Sequence, residues 1–210
     1  PPLAAWQQLP VRAVLQPGRL DRVDHTLDAQ KHRYRPTGRP EQIAWMNPAR
    51  IDALCLEYFS EARLFQGVSA QREAVSDATL VLRPRVVVKQ YIRPSVSGTM
   101  LTLGTGLIYN ILGGSAHYRY VVCDLAVSVE GASGRAITTY TSAGQSGERL
   151  VTARADQLGP LVSYAFTKAL EDVANQISAD NDLLMRALSA SREAPAAQGA
   201  ALVWPAGTEP

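Results

Sequence analysis

Cysteine is scarce: two in 210 residues, which excludes a disulfide-dense scaffold and a four-cysteine zinc site. Histidine is nearly as scarce, and His25, His32 and His117 leave little material for a histidine-rich metal centre. No sign of charge dominates. The 21 Lys and Arg residues stand against 19 Asp and Glu, for a net charge of +2, so bulk charge makes no case for a nucleic-acid binder. The short catalytic motifs are missing too: there is no His-Glu-x-x-His, no Cys-x-x-Cys and no Gly-x-Ser-x-Gly. Gly104-Thr105-Gly106 is only a fragment of a dinucleotide fingerprint, because Tyr109 stands where the third glycine belongs. Gly144-Gln145-Ser146-Gly147 reads as a turn, and Asp52, Glu57 and Glu61 are spaced for a solvated helix face. A triad assembled in space would leave no such trace. The expectation is a protein that is not an enzyme, with no cofactor and no metal.

What is present is a chain that can bury a core: 46% of residues are hydrophobic and 19% charged. Val11 to Leu15 reads as a short strand closed by Pro17-Gly18. From Arg19 to Asn47 no period is sustained, so residues 19–47 are expected to be a long basic loop. Asn47-Pro48 is a helix start, and Ile51, Leu54, Cys55, Tyr58 and Phe59 recur on one face as far as about Leu64. Residues 65–68 read as a short strand or turn.

Thr79 to Arg93 alternates as a strand, with Leu80, Leu82, Val86, Val88 and Ile92 on one face and Arg83, Arg85, Lys89 and Arg93 on the other. Pro84 implies an edge position or a bulge. Tyr118 to Glu130 is a second strand, with Val121, Cys123, Leu125, Val127 and Val129 facing one way. A turn at 131–134 returns it as a hairpin strand from Arg135 to Ala143. From Pro160, an apolar stripe continues through Val162, Phe166, Leu170, Val173, Ile177, Leu184 and Leu188, which predicts one helix about 45 Å long. The fold class expected is α+β: a mainly antiparallel sheet with two helices packed on one face. Residues 1–190 form a single domain in this reading, and 191–210, rich in Ala, Pro and Gly, a flexible tail. Cys55 and Cys123 both fall on core positions, either as separate buried thiols or, if the helix covers that part of the sheet, as a disulfide.

The unusual segment is 95–116, which carries no charged residue although it lies between two amphipathic strands. A membrane-spanning helix needs about 20 predominantly apolar residues. This stretch barely reaches that length and is broken by Gly98, Gly104, Gly106, Asn110, Gly113 and Gly114. It is either a buried excursion of the core or a loop that meets a membrane or partner. In the second case Met100, Leu101, Leu103, Leu107, Ile108, Ile111 and Leu112 are the contacting residues. A weaker candidate is an anion-contacting surface of Lys31, Arg33, Arg35, Arg39, Arg83, Arg85, Lys89 and Arg93. Alternating charges also keep an exposed strand face soluble and unpaired.

Several runs resemble small periplasmic lipoproteins of Gram-negative bacteria. The likeness is to auxiliary lipoproteins of lipid-transport ABC systems and to TolB amino-terminal-type domains. The runs are the helix end Glu61-Ala-Arg-Leu-Phe-Gln-Gly-Val68 followed by Ser76-Asp-Ala-Thr-Leu-Val-Leu82, the hairpin of 121–129 and 136–140 around Gly134, the closing helix to Ile177, and Thr99 to Ile108. Tyr109 departs from the proline that follows this last run in such lipoproteins. The resemblance implies a precursor whose lipidated cysteine precedes Pro1, a periplasmic location with a tether to the outer membrane, and a non-enzymatic role. That role is a scaffold or accessory subunit of an envelope transport or assembly machine. Its partners would be a membrane surface or an envelope complex, with self-association open and no nucleic acid. The alternative is a binding protein for a lipid or other apolar ligand, with 98–114 lining the site.

Overall fold

In the computed structural model, residues 8–26, 35–36, 46–70, 79–94, 116–152 and 158–193 are described. The strands are β1 (Leu9–Leu15), β2 (Arg19–Thr26), β3 (Arg35–Pro36), β4 (Phe65–Ala70), β5 (Thr79–Pro94), β6 (Ala116–Glu130), β7 (Ala136–Gln145) and β8 (Arg149–Thr152). The helices are α1 (Pro48–Glu61), α2 (Leu158–Ala179) and α3 (Asn181–Glu193). All eight strands join one sheet.

β5 and β6 are its spine. They pair antiparallel without a break from Val81↔Glu130 to Pro94↔His117. The other edge of β5 is shared: β1 runs parallel to Thr79–Leu82, and β2 runs parallel to Arg85–Tyr91. The far edge of β6 is shared likewise, by β7 and then β8, both antiparallel. β4 adds to β1 in parallel, and β3 adds to β2 in antiparallel.

This corrects several expectations. The sheet is mainly antiparallel, as expected, but it also holds three parallel ladders, since strands distant in sequence pair around β5. Residues 19–26 form a strand and not the start of a loop. A register shift between Leu20 and Arg22 scrambles the period of two that would have revealed it. Pro84 sits in an interior strand with continuous register to β6. It falls in the interval between the ladder to β1, which ends at Leu82, and the ladder to β2, which begins at Arg85, so its missing N–H is tolerated there. β8 had no sequence signal. The apolar stripe after Pro160 is divided at Asp180 into α2 and α3, two helices in place of one long one. Asp180 and Asn181 are residue types that favour caps over helix interiors, yet Leu184 and Leu188 remain buried.

The core lies on one face of the sheet. Leu80, Leu82, Val86 and Val88 of β5 and Val121, Cys123, Leu125, Val127 and Val129 of β6 are buried there with Ile51 and Phe59 of α1 and Phe166, Leu170, Val173 and Ile177 of α2. α1 starts as its sequence dictates: the Asn47 side chain accepts the Arg50 N–H at 2.8 Å, and Pro48 opens the first turn. Asp52 accepts the Gly18 N–H and ties α1 to the turn after β1. α2 lies against β6 and β7. Gly144 is needed in β7 because a Cβ there would collide with the α2 backbone at Ala165 and Ala169. Cys55 and Cys123 are separate buried thiols, which removes the disulfide alternative. The physical reason is that two helices divide the sheet face: Cys123 lies under α2, donating to the Val162 carbonyl at 3.8 Å, whereas Cys55 belongs to α1.

Candidate functional site

β5 and β6 send alternate side chains to the face away from α1 and α2, where charge is organised in pairs. Arg83 binds Glu130 at 2.8 Å. Arg85 reaches Asp21 through both Nε and Nη2, each at 2.9 Å from the same carboxylate oxygen. Lys89 pairs with Asp124, Arg19 with Asp21, and Arg22 with the buried Asp24. Val87, Ala126 and Ala143 are small between these pairs. With Asp21, Arg85, Asp124 and Thr141 they leave an open cleft of about 480 Å³. Its charged groups are already matched, so the cleft has a neutralised lining.

One end of the two strands matters more. At the end where β5 stops and β6 starts, Tyr91 and Tyr120 stack on the outer face, with centroids 4.5 Å apart and planes within 2°. On the inner face the apolar alternation fails at the same end. Gln90 follows Val88, and Arg119 precedes Val121, each in an inward register position. Gln90 is 3% exposed and its Oε1 has no hydrogen-bond partner. Arg119 is half-buried, and its Nε is likewise enclosed without an acceptor. Directly opposite Arg119 in β8 stands Arg149.

Of the residues expected to contact anions, Arg83, Arg85 and Lys89 are brought together on the outer face, each beside a carboxylate. Arg35 lies in β3 and Arg93 in β5. Lys31, Arg33 and Arg39 lie outside the described residues, as do Met100, Leu101, Leu103, Leu107, Ile108, Ile111 and Leu112. His117 lies in β6, paired with Val151. Ser146 is no nucleophile in waiting: its buried Oγ accepts the Val121 N–H at 2.9 Å and pins the end of β7 to β6. Cys123 is pushed up to about 12 by burial and then by Asp124, so it is a protonated core thiol. Burial and, secondarily, Asp52 raise Cys55 further still. No group of three or more His, Cys, Asp or Glu residues suited to a metal occurs among the described residues. None of the described helices is long and apolar enough to cross a membrane. Sequence reading missed Gln90, Arg119 and Arg149. The available signal was two polar residues on the inward parity of otherwise apolar strands.

The architecture is thus an eight-stranded mixed sheet with its core on one face and a polar interruption at one end. No family model matches the chain, and no curated protein matches it. Solved structures give loose overlaps. A neuraminyllactose-binding hemagglutinin homolog from Helicobacter pylori shares 11% identity, with 90% of this chain and 93% of that chain covered, at a TM-score of 0.44. A DUF330 protein from Xanthomonas campestris shares 12%, with 90% of each chain covered, at 0.36. A minor lipoprotein from Acinetobacter baumannii shares 11%, with 83% and 94% covered, also at 0.36. Overlaps this loose carry no argument about function, which rests on the residues themselves.

Proposed function

We propose that this chain is a non-enzymatic envelope lipoprotein, an accessory or scaffold subunit that docks on a membrane or an envelope complex through the uncharged segment 95–115. The observation that carries this reading is where that segment is attached. β5 ends at Pro94, β6 begins at Ala116, and Pro94 pairs with His117. The 21 intervening residues therefore leave and return at the tip of an unbroken 14-pair ladder, a stiff mount for a docking element. Tyr91, Tyr118 and Tyr120 flank the same tip, and tyrosine suits the boundary between water and lipid headgroups. Arg119 and Arg149 stand there too, which favours an anionic surface.

The compartment follows from the resemblance to periplasmic lipoproteins: a periplasmic domain tethered to the outer membrane by a lipidated cysteine upstream. Leu107 and Ile108 lie near the middle of the docking segment. The test replaces Leu107→Asp and Ile108→Asp together. The expected result is a folded protein, by circular dichroism and thermal melting, that no longer floats with vesicles or co-purifies with envelope membranes. A variant that fails to fold would assign the segment to the core and overturn the docking reading.

A further inference from the structure

The two faces of β5 and β6 treat their cations differently. On the outer face each described cation of β5 whose side chain is placed has a carboxylate partner. On the inner face Arg119 and Arg149 stand directly opposite each other in the β6/β8 ladder, and no carboxylate among the described residues pairs with either. Like charges facing each other across an antiparallel pair destabilise it. A half-buried guanidinium whose Nε has no acceptor adds a desolvation cost. Gln90, nearly fully buried on the neighbouring strand at the diagonal position to Arg119, presents a second unsatisfied polar group to the same end of the face. Three polar side chains from three adjacent strands thus stand at one end of the inner face with no partner among the described residues, where the core would otherwise continue.

An oxyanion resolves all three faults together. It neutralises the arginine pair, accepts from the enclosed Nε and accepts from the Gln90 amide, whose orientation is free to reverse. We propose that Gln90, Arg119 and Arg149 form a binding site for a phosphate group. Guanidinium forks match phosphate oxygens bidentately, and two of them facing each other suit its spread of acceptors. The neutralised outer cleft offers no such excess of donors.

The phosphate has two sources, a lipid headgroup or a free ion. Calorimetry and thermal melting of the full chain with inorganic phosphate are therefore run beside co-sedimentation with phosphatidylcholine vesicles, with and without phosphatidic acid. Inorganic phosphate that binds and raises Tm identifies a free-ion site. Binding that needs phosphatidic acid in the vesicle identifies a headgroup site. In either case Arg149→Gln, at an exposed position, and Arg119→Gln each weaken binding about tenfold, while Arg85→Gln leaves it unchanged. Both arginine variants melt no lower than the parent without ligand, because each removes a like-charge contact. No binding to either probe overturns the proposal, as does equal loss on Arg85→Gln. The Leu107→Asp and Ile108→Asp variant separates this site from the docking reading. It loses vesicle association whatever the headgroup yet keeps any response to inorganic phosphate.

Discussion

The two faces of the β5/β6 ladder share one backbone and one register, yet they obey different rules. Inward residues such as Leu82, Val86, Cys123 and Val127 are wholly buried under the helices. Outward residues one position away, Arg83, Arg85 and Lys89, hold ion pairs in water. The inner face gains its stability from packing and tolerates little change in volume. The outer face contributes little, because exposed pairs are screened and their long side chains lose entropy when held. The comparison also locates function. A cation paired on the open face is part of the scaffold, whereas the cations without a carboxylate partner at the end of the packed face are those assigned to the proposed phosphate site.

The sharpest break of this contrast is a truncation beneath α2. Phe166→Ala removes a fully buried ring and is expected to cost about 3–5 kcal/mol in urea denaturation. Next comes a pair of neighbours in β7. Gly144→Val drives a side chain into the α2 backbone and should cost about 3 kcal/mol or unfold the chain. Ala143→Val, on the open face one residue away, should stay within about 0.5 kcal/mol. Equal effects at 143 and 144 would mean that α2 does not sit on β7 as described.

Alkaline pH tests the packed face differently. Burial raises the Cys123 thiol to about 12 from an ordinary 9.0, so folding favours its neutral form. The stability it contributes is full below 9.0 and is lost progressively as pH rises from there toward 12. Urea midpoints should fall across that window, and Cys123→Ala should flatten the slope. Thiol titration should find neither Cys55 nor Cys123 reactive until the protein is unfolded, and then both without reductant.

Smaller effects follow at the edges of the contrast. Asn47→Ala deletes the cap of α1 and should lower stability by about 1 kcal/mol. Smallest of all, Arg83→Gln and Lys89→Gln should each cost at most about 0.5 kcal/mol, vanishing at high salt. Arg149→Gln should shift Tm the opposite way. A loss on Arg149→Gln as large as that on Arg83→Gln would show that the inner arginines are not in conflict.

The legible parts of the sequence were those where one local rule acts alone. The Asn47-Pro48 start, the alternation in β5 and β6, and the turn at Gly134 with its positive φ of 77° are such cases. β2 was hidden by its bulge, and β8 by being only four residues long. The cation candidates were legible as a strand face, but their neutralisation was not, since Asp21 and Asp124 come from other strands. Gln90 and Arg119 carried a signal, polar residues on an apolar parity, whereas Arg149 carried none until β8 was placed against β6.

By itself the sequence determined what backbone propensity and side-chain period decide: which residues make α1, β5, β6 and the β7 hairpin, which positions face inward, and that 95–115 carries no charge between two strands that do. Only the tertiary structure decided what depends on pairing between distant segments. It placed β1 and β2 end to end along β5, gave Pro84 an interval where no N–H is needed, kept Cys55 on α1 apart from Cys123 under α2, and set Arg149 against Arg119. The reason is that a local pattern specifies a face and a period, while strand order and register are chosen by the burial of the whole core.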